Sequence, residues 1–179
     1  MKRLRLLVTR DCQRSCKGCC NDSVGDVPVW DGSADYDEIM ITGGEPLLFV
    51  EELRVLWFAL RARTNAKLYL YTALVGEKDA LDALELIKIF DGVTITLHTE
   101  EDIELWLVFY EPHIRYMDLS VRLKVKKAAL MESGSSFYSA HLKKRQEQYS
   151  LSIVDFVKDC PVSEGEVFMR LDELYTLKK

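Results

Sequence analysis

Residues 38–60 read EIMITGGEPLLFVEELRVLWFAL, a pattern that predicts a buried strand joined to an amphipathic helix through one turn. The apolar run at 38–42 predicts the strand, which Gly43 and Gly44 close. From Val50 onward, apolar residues recur every three or four positions, a spacing that predicts a helix with one buried face. A strand followed by a helix is the repeating unit of a parallel α/β sheet.

The same alternation extends along most of the chain. We count about six βα units, whereas a closed eight-stranded barrel needs about 200 residues or more. With 179 residues, the prediction is an α/β fold, an open partial (βα)6 barrel with a parallel sheet, formed by one domain over 1–179. The other predicted strands are 4–9, 67–72, 93–97, 117–125 and 151–156. The other predicted helices are 79–90 with Asp79 as a candidate cap, 101–111 ended by Pro112, and most of 126–149, while 21–37 is a predicted surface loop.

Composition excludes some classes of protein. Lys and Arg number 24 against 29 for Asp and Glu, so the net charge of −5 argues against general nucleic-acid binding. No apolar run approaches the roughly 20 residues that span a bilayer. The apolar stretch in 1–8 is interrupted by Arg5 and is too short for a signal peptide. The sequence therefore predicts a cytoplasmic protein with no membrane partner.

Cysteine usage departs from that ordinary composition. Of five cysteines, four fall within 12–20, and Cys160 stands alone. A secreted disulfide scaffold would spread its cysteines along the chain, whereas thiols clustered in a reduced compartment indicate a metal. The clustered residues are Cys12, Cys16, Cys19 and Cys20.

Cys12, Cys16 and Cys19 have the spacing C-x3-C-x2-C. Three thiolates on one loop can hold three irons of a cubane cluster and leave the fourth open to a substrate or cofactor. Structural zinc usually needs a second ligand pair, which the remaining cysteines and the three histidines do not form. A zinc or electron-transfer module stays an alternative, and we interpret Cys20 and Cys160 as buried or incidental thiols.

The turn after the second predicted strand is the other conspicuous feature. Gly43 and Gly44 let the backbone turn sharply and approach a ligand closely. Their carbonyls, together with the Glu45 carboxylate, would form an acceptor-rich pocket suited to an ammonium group. Pro46 fixes the exit of the turn. The alternative is an ordinary strand–loop–helix turn.

Together these two motifs resemble the radical S-adenosylmethionine superfamily. The resemblance implies a [4Fe–4S] cluster on the three cysteines, with its open iron chelating the amino and carboxylate groups of S-adenosylmethionine. The segment from Thr42 through Gly43, Gly44 and Glu45 to Pro46 would then bind the cofactor and receive its methionine ammonium. Reduction would break the sulfonium to give methionine and a 5′-deoxyadenosyl radical, which abstracts a hydrogen from the substrate.

The cysteine loop is most similar to that of the small activating enzymes of anaerobic ribonucleotide reductase, which reads C-x3-C-x-G-C-x-N-x-[ST]. Gly18 and Asn21 occupy the corresponding positions, Cys20 departs from the usual neighbour of the third cysteine, and the likeness covers about 8–48. It implies a glycyl-radical enzyme as partner and an electron donor such as flavodoxin or ferredoxin. Alternatives are a small-molecule substrate such as a purine or pterin-like ring, or a member that binds the cofactor without turnover.

Polar residues at the ends of other predicted strands are further candidates for cofactor contacts. Ligands of parallel α/β sheets bind at the carboxyl ends of the strands. Each of these residues could equally be an ordinary polar group of the fold. His98 ranks first because its strand leads directly into an acidic helix start. The residues at strand ends are Thr72, Thr96 and His98, and within the fifth strand Ser120 and Arg122 could reach the ribose or carboxylate of the cofactor.

Overall fold

The structure is a computed structural model that describes residues 1–16, 19, 27–33, 35–127, 129, 140, 149–154 and 164–171. Its contacts divide the chain into two compact units, Met1–Tyr71 with Phe156–Lys179, and Thr72–Asp155. The single domain expected over 1–179 stays a prediction. Within the described ranges, no helix is both long and apolar enough to cross a membrane.

Seven strands lie in the described residues: β1 (Arg3–Thr9), β2 (Glu38–Gly43), β3 (Lys67–Thr72), β4 (Gly92–Leu97), β5 (Ser120–Lys126), β6 (Ser150–Val154) and β7 (Glu166–Arg170). The α-helices there are α1 (Val50–Arg61), α2 (Ala80–Ile87), α3 (Glu100–Leu105) and α4 (Glu111–Ile114). Short 3-10 turns cover Pro46–Phe49 and Glu77–Asp79, and a π-helical turn, Trp106–Tyr110, lies between α3 and α4.

The first unit contains parallel strands in the order β7-β1-β2-β3. The centre of this unit is apolar because the last four residues of β1 and the first four of β2 are all buried, as expected for strands covered on both faces. Leu6 and Ile41, which pair across β1 and β2, are fully buried. Helix α1 buries the face predicted from its periodicity, at Leu53, Leu56 and Leu60.

Strand β7 is absent from the sequence-based prediction, which ended the sheet at 151–156. That prediction was wrong, because β7 pairs in parallel with β1. Its five residues begin with Glu166 and end with Arg170, so the apolar run is too short to stand out. Tertiary contacts stabilise it: Arg5 of β1 forms an ion pair with Glu166 and lies over the ring of Phe168.

Part of the predicted surface loop 21–37 is also held by β7. The Trp30 N–H donates to the Arg170 carbonyl at 2.8 Å, and the Arg170 N–H donates to the Pro28 carbonyl at 2.9 Å. A third hydrogen bond between this loop and β7 runs from the Arg170 Nε to the Val27 carbonyl at 3.1 Å. The chain that follows the cysteine loop therefore returns to the sheet beside β7, at the edge of β7 that faces away from β1.

The second unit contains parallel strands in the order β4-β5-β6. Helix α2 begins at Ala80, close to the prediction, but Asp79 makes no side-chain capping bond. Strand β5 begins later than predicted because Met117 is still in the turn after α4, where its N–H donates to the Ile114 carbonyl. The predicted helix at 126–149 lies almost entirely outside the described residues.

Pro112 does not end its helix as predicted. The helical path continues to Ile114, because the turn Trp106–Tyr110 is π-helical and the Glu111 N–H donates to the Trp106 carbonyl five residues back. A proline inside a regular α-helix lacks a donor and crowds the carbonyl four residues earlier. The wider turn immediately before Pro112 accommodates both defects.

The predicted fold class is confirmed at the level of an α/β chain with parallel strand pairing in both units. The described residues contain seven strands, whereas the sequence suggested about six βα units. The strands were recognised from apolar runs, and the additional one was fixed by its pairing with β1.

Candidate functional site

The cysteine loop leaves the sheet directly from the end of β1. A local turn starts it, in which the Asp11 N–H donates to the Thr9 hydroxyl at 3.0 Å. The Arg14 N–H then donates to the Cys12 Sγ at 3.4 Å. Further along, the Cys19 N–H donates to the Cys16 carbonyl at 3.1 Å. Hydrogen bonds local to the loop therefore hold the described part of it.

All three predicted ligand cysteines are free thiols and half-buried. Burial raises the pKa of the Cys12 thiol above its ordinary value, and the negative charges of Glu45, Cys16 and Cys19 raise it further. The hydrogen bond from Arg14 acts in the opposite direction. Three thiols and a carboxylate thus share one electrostatic neighbourhood, in which a cation would relieve their mutual repulsion.

Gly43 and Gly44 lie against the backbone that leads into the cysteine loop. The Gly44 N–H donates to the Thr9 carbonyl at 2.9 Å. A Cβ on Gly43 would be 2.4 Å from the Thr9 carbonyl oxygen, and one on Gly44 would be 2.1 Å from the Asp11 carbonyl oxygen. Neither position can hold a side chain without displacing the main chain.

The structure thus supplies a reason for the glycine pair that the sequence did not reveal. The sequence analysis predicted close approach of the backbone to a ligand, and the close approach observed is between two segments of the protein itself. Binding of an ammonium group by the carbonyls of Gly43 and Gly44 stays a prediction.

Glu45 is fully buried, and its carboxylate already has a structural contact. Its Oε1 accepts from the Leu47 N–H at 3.0 Å, which caps the 3-10 turn Pro46–Phe49. Its own N–H donates to the Asp11 carbonyl at 2.8 Å. Glu45 therefore links the turn after β2 to the cysteine loop, while Thr42 is half-buried near the end of β2.

The chemistry of the donor set fits an iron–sulfur cluster. Thiolates are the ordinary ligands of such clusters, and the half-buried thiols of Cys12, Cys16 and Cys19 are open to assembly from solvent. In the described part of the chain, no group of three or more His, Cys, Asp or Glu residues is gathered as it would be around a single metal ion.

Thr72 has a local structural contact in the second unit. Its buried hydroxyl accepts from the Leu74 N–H at 2.8 Å. Leu74 has a φ of 66°, in the left-handed region that a leucine rarely adopts. The hydrogen bond to Thr72 stabilises this strained turn after β3, and a contact between Thr72 and the cofactor stays a prediction.

His98 follows β4 in the same unit and is held by two oxygen acceptors. Its Nδ1 lies 3.1 Å from the Thr96 carbonyl and 3.9 Å from the Asp102 carboxylate. A carbonyl oxygen can only accept, so Nδ1 carries the proton and, in the neutral ring, Nε2 keeps the lone pair. Asp102 also accepts from the backbone N–H groups of His98 and Thr99, at 2.7 and 3.1 Å.

The predicted site residues thus fall into two groups. The three cysteines and the turn at Thr42–Pro46 belong to the first unit, whereas Thr72 and His98 belong to the second. Ser120 and Arg122 lie in the fifth strand as expected, at the first and third positions of β5, and their contact with the cofactor stays a prediction. Other residues from the motifs lie outside the described residues: Gly18, Cys20, Asn21 and Cys160.

Sequence reasoning missed Asp102. The residue forms a capping box with Thr99, whose hydroxyl accepts from the Asp102 N–H while the Asp102 carboxylate accepts from the Thr99 N–H. The pattern Thr-x-x-Asp before a helix would have indicated it.

No protein-family model, curated protein or solved structure matches the chain. Its function is therefore argued from these residues.

Proposed function

We propose that this protein is a radical S-adenosylmethionine enzyme, in which Cys12, Cys16 and Cys19 hold a [4Fe–4S] cluster. One observation carries the proposal. The turn containing Gly43 and Gly44 lies against the backbone before Cys12, and Glu45 is close enough to raise the pKa of the Cys12 thiol. The two motifs that carry the superfamily resemblance therefore belong to one site.

The residues of the chain have separate roles in this proposal. The three thiolates bind iron, and their spacing leaves one iron without a protein ligand. When bound, the cluster supplies the electron that cleaves S-adenosylmethionine to methionine and a 5′-deoxyadenosyl radical. The carbonyls of Gly43 and Gly44, with Glu45, receive the methionine ammonium. A buried carboxylate such as Glu45 attracts a cation more strongly than an exposed one, because water and salt screen it less.

The finer features of the fold and location belong to the same proposal. We assign an open partial barrel, whose ligands would bind beyond the carboxyl ends of β1 and β2, where both motifs occur. We also assign the protein to the cytoplasm, where thiols stay reduced and an electron donor such as flavodoxin or ferredoxin can act.

For the substrate, we propose a glycine of a glycyl-radical enzyme. The support is the sequence resemblance of the cysteine loop to the small activating enzymes. An enzyme with a protein substrate can also exclude water from its radical by borrowing the surface of its partner. A small molecule with a purine or pterin-like ring is the alternative. The reduced protein is mixed with S-adenosylmethionine and anaerobic ribonucleotide reductase. An EPR signal of a glycyl radical should then form on the reductase, and the absence of that signal would favour a small-molecule substrate.

The assignment to the superfamily is tested by anaerobic reconstitution followed by metal and product analysis. Wild-type protein should contain iron and sulfide and, once reduced, should convert S-adenosylmethionine to 5′-deoxyadenosine. Cys16→Ala should lose the cluster, whereas Glu45→Ala should keep it and bind the cofactor more weakly. Ser15→Ala, an exposed position in the same loop, is the matched control and should behave as wild type. Protein that binds zinc and assembles no cluster would overturn the proposal.

A further inference from the structure

Helix α1 has a second apolar face besides the one it buries. Val55 is 62% exposed and Phe58 is 59% exposed, and Ala59 and Ala62 beside them are exposed as well. These four positions follow the spacing i, i+3, i+4, i+7, so they form one stripe along the helix. The stripe lies opposite the buried leucines, which already supply the contribution of α1 to the core.

The charges that accompany this stripe differ between its two ends. Glu51 and Glu52 lie in the first turn of α1, whereas Arg61 is its last residue and Arg63 lies in the turn just beyond it. The helical path continues past Arg61, because the N–H groups of Ala62 and Thr64 still donate to carbonyls four residues earlier. Glu52 and Arg63 are eleven residues apart, which is about three helical turns, so both lie on the same flank of the stripe. The helix is thus acidic at one end and basic at the other along a single edge.

That distribution is complementary to itself. When two identical helices pack antiparallel about a twofold axis, a given flank of one helix lies beside the same flank of the other helix, and the two chains run in opposite directions. Glu52 of one copy then meets Arg63 of the second, and the symmetric pair forms at the other end. Phe58 lies almost midway between these positions, next to the twofold axis. Ala59 and Ala62 are small enough to let the two helices approach closely.

We propose that the stripe of α1 formed by Val55, Phe58, Ala59 and Ala62 is the contact surface of a twofold-symmetric homodimer, with the two helices antiparallel. The Arg63 Nη2 donates to the Gly32 carbonyl at 2.9 Å, and because this acceptor is neutral, the positive charge of Arg63 stays available for an ion pair. The inference uses no part of the proposed function.

The expected dimer is weak. Helix α1 has twelve residues and is therefore about 18 Å long. A stable specific interface buries about 800 Å² on each partner, more than one such helix face is expected to supply alone. The association should therefore depend on protein concentration and have a micromolar dissociation constant.

Sedimentation velocity of the full chain across a wide concentration range tests the contact. Wild type should shift from monomer to dimer, and both Phe58→Glu and the milder Phe58→Ala should stay monomeric further up the range. Leu81→Glu is the matched control, because Leu81 is an apolar residue 69% exposed on α2. Circular dichroism verifies that each variant is folded. A wild-type monomer at every concentration, or a dimer unaffected by both Phe58 variants, would overturn the proposal.

Charge reversal tests the antiparallel arrangement. Glu52→Arg and Arg63→Glu should each weaken the dimer about tenfold, since two symmetric ion pairs are lost. The double variant should recover the wild-type dissociation constant. Failure of the double variant to recover would overturn the antiparallel pairing, whatever the single variants do.

Discussion

The Glu45 N–H donates to the Asp11 carbonyl at 2.8 Å, and this bond joins the turn after β2 to the first residues of the cysteine loop. Next to it, Gly44 lies so close to Asp11 that no side chain fits. The two sequence motifs are therefore parts of one local structure. The proposed function depends on this contact, because it brings a buried carboxylate close to the Cys12 thiol.

Replacing Gly44 tests the contact directly. Gly44→Ala should destabilise the protein by about 2 kcal/mol or more, because its Cβ would overlap the Asp11 carbonyl. Gly76→Ala is the control: nothing lies within 4 Å of its Cβ position, so its free energy of unfolding should stay within about 0.5 kcal/mol of wild type. Chemical denaturation measures both. Equal stability of the two variants would contradict the observed packing.

Capping of α3 gives a second matched pair. Thr99→Ala removes the hydroxyl that accepts from the Asp102 N–H, so it should cost about 1 kcal/mol. Asp79→Ala, at the start of α2, should cost much less because Asp79 makes no side-chain capping bond. Thermal unfolding of the two variants and of wild type gives the loss of stability caused by each substitution. A larger loss for Asp79→Ala would show that the sequence-based choice of cap was right.

The charge of Glu45 should be measurable at Cys12 in metal-free protein. Burial is the largest cause of the raised pKa of Cys12, and it is unchanged in the variant. Glu45→Gln removes the negative charge that is the next largest cause, so the pKa of the Cys12 thiol should fall partway towards its ordinary value. The amide oxygen of Gln can still accept from the Leu47 N–H, which limits structural change. The rate at which an alkylating reagent modifies the thiol is measured against pH in a variant that keeps Cys12 as its only cysteine, and the midpoint of that curve gives the pKa. Glu51→Gln on α1 is the charge-matched control and should not move it.

The same shift has a consequence for stability. Because the folded thiol has a higher pKa than the unfolded one, the unfolded chain loses its proton first as the pH rises. The contribution of Cys12 is therefore fully present below the unfolded pKa and is lost as the pH rises through the folded pKa. Cys12→Ser should make the stability of metal-free protein less dependent on pH in that alkaline range. An unchanged pH profile would contradict the raised pKa.

His98 offers a prediction about its tautomer. Neutral His98 should carry its proton on Nδ1, since the Thr96 carbonyl 3.1 Å away accepts a hydrogen bond and cannot donate one. Nitrogen-15 NMR of the imidazole distinguishes the two tautomers, and His98→Gln assigns the signals. A proton found on Nε2 in the neutral ring would contradict the geometry.

The elements that sequence predicted best are those whose own residues determine them. Strand β3 has the predicted bounds, and α1 begins at Val50 and buries one apolar face as predicted, because apolar periodicity is a local property. Strand β7 was missed because five residues with charged ends become a strand only beside β1. Pro112 misled the prediction because the π-helical turn that accommodates it has no pattern in the sequence.

The site shows the same division. The spacing of the cysteines and the sequence Gly-Gly-Glu-Pro could be read directly, so the donors were named in advance. The contact of Gly44 with Asp11 could not be foreseen, since it depends on the register of two strands. The bond from Leu47 to the Glu45 carboxylate likewise depends on the 3-10 turn that follows.

Low-temperature EPR tests the central claim most directly. Anaerobically reconstituted and reduced protein would be measured with and without S-adenosylmethionine. The account predicts a [4Fe–4S]⁺ signal that changes shape when S-adenosylmethionine is added, because the iron without a protein ligand is then coordinated. A protein that assembles no cluster, or whose cluster signal does not respond to S-adenosylmethionine, would contradict the account and favour a zinc or electron-transfer module.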